Sequence, residues 1–140
     1  MAWIGRRCRP VNESRRGAPI TGLSHVQLLV SDVGESAGWH AAALGLVPFA
    51  EDLDIGYVAL RHRRAKFVVV LTQGARAADR SAGEALDHLA FAVPDADSLE
   101  AWAEHLTESG IEHSGVVLEG GRPSLQLRDP DDTAIELVAP

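Results

Sequence analysis

A histidine opens the same spaced pattern twice in this chain: His25, Val30, Asp32 and Trp39, then His88, Val93, Asp95 and Trp102. The offsets of five, seven and fourteen residues repeat without a slip, which marks two copies of one supersecondary unit. A carboxylate, Glu136, falls in the last expected strand. Two histidines on separate strands plus one carboxylate form a ligand set that binds a divalent metal and leaves coordination positions open for substrate. A metal enzyme is therefore the leading expectation.

The 140 residues are enough for one small domain, and 46% hydrophobic content supplies a core with little surplus. A pocket cut into such a core calls for support from a partner chain. The single cysteine, Cys8, rules out an internal disulfide framework. No apolar run approaches the roughly 20 residues needed to cross a membrane, so a cytoplasmic protein with no membrane partner is expected. Charge is unevenly spread. Residues 1–20 hold Arg6, Arg7, Arg9, Arg15 and Arg16 against Glu13 alone, which leaves 8 basic and 19 acidic residues in the body. An acidic body argues against nucleic acid as a partner, and the basic start lacks the apolar stretch of a signal peptide. Segment 1–20 reads as a basic, mobile tail, and 21–140 as the domain.

Along the domain, 23–30 reads as a strand with His25, Gln27 and Leu29 on one face and Val26, Leu28 and Val30 on the other. Asp32 followed by Glu35 signals a helix start, and Gly45 a stop. Strands are expected near 47–51, 55–61 and 66–72. The small, polar stretch 76–83 reads as a linker. The second copy repeats the plan: a strand over 86–93, Asp95 as N-cap, and a helix to Ser109 closed by Gly110. On that helix Leu99, Trp102, Ala103 and Leu106 form one buried stripe. Strands near 112–118, 123–128 and 133–138 complete a second βαβββ unit, so the modules span 21–75 and 84–140. Parity puts His88 on the face opposite Leu89 and Phe91, and Glu136 on the face opposite Ile135 and Leu137. If the two sheets curl around a shared cleft, His25, His88 and Glu136 all point into it.

Three segments carry a family resemblance: Gly22-Leu23-Ser24-His25-Val26, Leu86-Asp87-His88-Leu89-Ala90-Phe91, and Arg128-Asp129-Pro130-Asp131-Asp132-Thr133-Ala134-Ile135-Glu136-Leu137. Over residues 20–140 the chain resembles the vicinal oxygen chelate superfamily, which includes glyoxalase I, bleomycin-resistance proteins, extradiol dioxygenases, fosfomycin-resistance enzymes and methylmalonyl-CoA epimerase. The resemblance implies an α+β fold in which two βαβββ modules form an open, cupped mixed β-barrel with helices outside, usually in a homodimer. It implies a divalent metal (Fe²⁺, Mn²⁺, Zn²⁺ or Ni²⁺) on His25, His88 and Glu136. It also implies a small oxygen-rich substrate whose developing charge a Lewis acid stabilises.

Departures from the family pattern narrow that implication. Val70 aligns with Glu136, where glyoxalase I and the epimerase supply a fourth ligand, so the three-ligand dioxygenases and fosfomycin-type enzymes are the better parallels. Gln73 has the wrong parity to substitute. Gln126 stands where extradiol dioxygenases place a tyrosine, and Val117, Leu118 and Glu119 fill the window of their histidine. Gln27 stands where fosfomycin-type enzymes use a hydroxyl. Gln27, Gln126 and Glu119 are accordingly the candidate catalytic groups, with Ser124 a further cavity-facing residue. The plainer readings are a barrel-lining amide for the glutamines and a solvated loop residue for Glu119. Trp39 and Trp102 read as core anchors, His40 and His105 as packing or surface groups, and His62 with its arginine neighbours as a solvated turn. Two rival functions stand beside a metal enzyme: a metal-independent protein that sequesters a cationic antibiotic, as bleomycin-resistance members do, and an accessory subunit with a vestigial barrel.

Overall fold

The computed structural model describes residues 23–74 and 86–140; segment 1–20 and the linker 76–83 lie outside the described residues. Alternation gives β1 (His25–Val30), with Leu28 and Val30 buried and Gln27 and Leu29 exposed. Asp32 caps α1 (Val33–Leu44) by accepting the Glu35 amide at 2.9 Å. Gly45 ends the helix at φ 66°, its N–H bonded to the Ala41 carbonyl, a left-handed cap that carries no Cβ penalty in glycine. The strands β2 (Val47–Asp52), β3 (Tyr57–Arg61) and β4 (Val68–Gln73) complete the first module.

The second module follows as β5 (Leu89–Ala92), α2 (Ala96–Glu108), β6 (His113–Glu119), β7 (Arg122–Arg128) and β8 (Ala134–Val138). Asp95 caps α2, accepting the Ser98 amide at 2.8 Å and the Ser98 hydroxyl at 2.7 Å. These two bonds hold the Asp95 carboxyl below the ordinary carboxylate range. Leu99 and Leu106 are fully buried, with Trp102 and Ala103 packed beside them, as the stripe requires.

Each module is a four-stranded mixed sheet, ordered β1-β4-β3-β2 and β5-β8-β7-β6, parallel at β1/β4 and β5/β8 and antiparallel elsewhere. The α+β architecture of two βαβββ units is therefore as expected, with two cupped sheets that do not close into a barrel. Register confirms the internal alignment. Gln27 pairs with Val70 in one sheet as Ala90 pairs with Glu136 in the other, so Val70 occupies the place of Glu136. One expectation is corrected. The strand expected from 86 begins only at Leu89, where its parallel pairing with β8 starts opposite Ile135. His88 therefore stands just ahead of the strand.

A single apolar cluster runs through both modules, built from Leu28, Val30, Leu60, Leu71, Leu125 and Leu137 among others. Polar contacts reinforce the junction between modules. Both Asp131 carboxylate oxygens accept the Ser31 amide, at 3.0 and 3.1 Å, and Asp131 also takes the Ser31 hydroxyl. His105 Nε2 of α2 donates to the last-turn carbonyls of Ala42 and Ala43, at 3.0 and 3.2 Å, satisfying groups that a helix C-terminus leaves open. Among the described residues, no helix is long and apolar enough to cross a membrane.

Candidate functional site

The concave face of the second module carries most of the chemistry. His88 precedes β5, Glu136 lies in mid-β8, and Gln126 pairs with Glu136 from β7. They line one cleft of about 780 Å³, together with Asp87, Arg128 and Trp39, the last contributed by α1 of the other module. His88 Nδ1 lies 2.7 Å from Asp87 Oδ2. A carboxylate only accepts, so this bond puts a proton on Nδ1, and in the neutral ring the lone pair then lies on Nε2. That Nε2 faces Glu136 Oε2 at 3.4 Å.

With the ring neutral, two electron-rich atoms at this distance repel each other unless a cation sits between them; with the ring protonated, the same approach is an ion pair. With bonds of about 2.1 Å, two ligands of one cation lie roughly 3.0 Å apart on an octahedral edge and roughly 3.4 Å apart on a tetrahedral one. The His88–Glu136 pair therefore fits a divalent cation, and Asp87 stands where a carboxylate orients a ligating imidazole.

His25 does not join them. Its Nδ1 contacts Ser24 Oγ at 3.1 Å, and it lines a separate, shallower cleft of about 240 Å³ on the first module with Gln27, Phe49, Tyr57 and Val70. Among the described residues, no three histidine, cysteine or acidic side chains come together in a geometry that could hold a metal. The expectation that all three ligands share one cleft is thus met by two of them within the chain. The physical reason is that the two sheets form no shared ladder and each lines its own cleft.

The other candidates divide similarly. The Gln27 amide donates to Thr72 Oγ1 at 3.4 Å, and Gln126 opens onto the larger cleft. Glu119 ends β6 opposite Arg122, and its side chain lies outside the described residues. Ser124 does not line either cleft: it is fully buried and its hydroxyl has no hydrogen-bond partner among the described residues. Gln73 accepts the Val33 amide at 3.0 Å and donates to the Ser31 carbonyl, so it ties the start of α1 to the sheet.

Two cleft residues were not singled out from the sequence in this role. Trp39 is half-buried and serves as cleft wall as well as core neighbour. His113 also borders the cleft, but its Nδ1 accepts the Gly115 amide at 3.0 Å and its Nε2 bonds Thr107 Oγ1 at 2.9 Å, which commits both nitrogens to structure. The parity of the strand containing His113 was the signal that could have found it.

A family model of the Glyoxalase/Bleomycin resistance protein/Dioxygenase superfamily matches residues 22–137. The chain belongs to that superfamily. Its fold is similar to that of a lactoylglutathione lyase from Agrobacterium tumefaciens, with a TM-score of 0.71 at 14% identity over 87% of this chain and 96% of that one. It is similar to the antibiotic-binding protein TnmS3 from Streptomyces sp. CB03234, with a TM-score of 0.70 at 18% identity over 89% and 99% of the two chains. It is also similar to the fosfomycin resistance protein FosX from Listeria monocytogenes, solved with Mn(II) and a dihydroxypropylphosphonic acid, with a TM-score of 0.66 at 18% identity over 86% and 90%. At these identities the likenesses establish the shared fold. No curated protein matches the chain.

Proposed function

We propose that this superfamily member is a divalent-metal-dependent enzyme acting on a small oxygen-rich molecule, and that its site is completed in a homodimer. The observation that carries this reading is the 3.4 Å approach of His88 Nε2 to Glu136 Oε2, with Asp87 accepting from His88 Nδ1. His88 and Glu136 would hold the cation, and His25 of a second copy would supply the third ligand that one chain does not bring to the cleft. The bound cation would supply Lewis-acid stabilisation of negative charge on a substrate oxygen. Gln126, beside Glu136, offers an amide that orients a polar substrate group, and Trp39 closes one wall against water. Gln27 would do the same from the His25 side.

Metal content of the untagged protein tests this. About one divalent ion per chain is expected, lost in His25→Ala, His88→Ala and Glu136→Ala alike. Co-refolding His25→Ala with His88→Ala should restore about one quarter of the metal, since half of the dimers would be mixed and each would carry one intact site. Restoration to zero with dimers present would overturn the shared site.

A metal-independent binding protein is the second reading, favoured by the lack of a third ligand beside His88 and Glu136 among the described residues. Tight binding of a cationic antibiotic in the presence of chelator, unchanged in Glu136→Ala, would select it.

A further inference from the structure

The deepest polar contact between the two modules is unfinished. His40 of α1 is 1% exposed and Asp129, which follows β7, is 5% exposed. His40 Nδ1 donates to the Ser36 carbonyl at 2.8 Å, so the lone pair of the neutral ring lies on Nε2. That Nε2 faces Asp129 Oδ2 at 3.9 Å, and both atoms lack a hydrogen-bond partner among the described residues. The other Asp129 oxygen is engaged, accepting the amides of Asp131 and Thr133 at 2.9 and 2.8 Å. Ser36 is fully buried and its hydroxyl is 3.4 Å from His40 Nδ1. The Ser36, His40 and Asp129 trio has no path to a substrate, so nucleophilic catalysis is excluded as its role.

Orphaned buried polar atoms are costly, and here one proton would satisfy two of them at once. The turn 129–132 grips the first module at two places. Asp131 on Ser31 is a completed grip, and Asp129 before His40 is an open one. We infer that His40 and Asp129 form a proton-operated catch between the modules: one proton taken from solvent onto His40 Nε2 closes an Nε2–H···Oδ2 bond and draws α1 toward the β7–β8 turn.

The charged groups acting on His40 are Asp129 and Asp131, both from that turn. Burial nonetheless keeps its proton affinity below the ordinary imidazole range, outweighing the Ser36 carbonyl and the two carboxylates. The catch is therefore open at neutral pH and closes in acid. The adjacent Trp39 stands edge-on to His40, with ring centroids 5.0 Å apart, and lines the His88–Glu136 cleft. Closing the catch thus moves a cleft wall.

The test is nitrogen NMR of the full-length chain titrated from pH 8 to pH 4.5, reading the His40 ring nitrogens and the Trp39 indole N–H. His40 Nε2 should gain a slowly exchanging, downfield proton, and the Trp39 signal should shift with the same midpoint. In Asp129→Asn that midpoint should fall by a unit or more, and in His40→Gln the Trp39 transition should vanish. The inference is overturned if His40 stays neutral until the fold is lost, if it titrates without moving Trp39, or if Asp129→Asn leaves the midpoint in place. Should Asp129→Asn not fold, the wild-type proton signal decides: its absence in acid overturns the catch.

Discussion

Replacing Asp131 by alanine should loosen the junction between the modules by an amount the structure lets us work out. Its two oxygens receive the Ser31 amide at 3.0 and 3.1 Å, and one also receives the Ser31 hydroxyl. Those are two donors on one carboxylate, joining the end of β1 to the β7–β8 turn across 100 residues of sequence. Hydrogen bonds to a charged group contribute about 1.5–3 kcal/mol each, and stranding the amide in a half-buried place adds to the loss. Partial exposure of the pair pulls the sum down, so we expect a destabilisation of about 3 kcal/mol and a drop in Tm of roughly 10 °C. Urea unfolding at constant m-value measures it, and a double-mutant cycle with Ser31→Ala isolates the hydroxyl share. A loss below about 1 kcal/mol, or a Ser31→Ala cost unchanged once Asp131 is gone, would refute the reasoning.

Stability should be flat in pH above about 6.5 and fall as pH drops below it, because His40 binds its proton more weakly folded than unfolded. Urea midpoints between pH 8 and pH 5 should show that fall in the wild type and a shallower one in His40→Gln; equal slopes would count against it. Gly56→Ala should cost roughly 3 kcal/mol by chemical denaturation, since at φ +69° a left-handed residue with a Cβ costs about 1–2 kcal/mol. The added carbon would also sit 2.3 Å from the Gln73 Cβ, and Gln73 ties Ser31 and Val33. Asp32→Ala should remove about 1 kcal/mol by freeing the Glu35 amide, and Asp32→Asn should recover most of it.

The repeat announced both modules because it is written in short-range signals. Asp32 and Asp95 cap their helices, Gly45 takes the left-handed turn, and Leu99 and Leu106 fall on one face. These depend on residues within one turn or strand. The parity of β8 was legible for the same reason, with Ile135 and Leu137 buried and Glu136 lining the cleft. What the sequence did not reveal depends on distant partners. Where β5 begins depends on its pairing with β8, a strand more than 40 residues away. That His40 meets Asp129 and that Trp39 crosses to the second module's cleft depend on how two finished units dock. The separation of His25 from His88 is likewise a property of the docking, which no local period encodes.

A substitution at the centre of the two sheets, Val70 where the other has Glu136, gives this doubled object a polarity. Its backbone plan is nearly indifferent to exchange of the halves, yet one bowl is floored by a carboxylate and the other by a branched hydrocarbon. A molecule that touched both floors would meet acid at one end and grease at the other. A guest with one polar and one apolar end would then settle in a single sense, its two ends told apart by a host assembled from two versions of the same part.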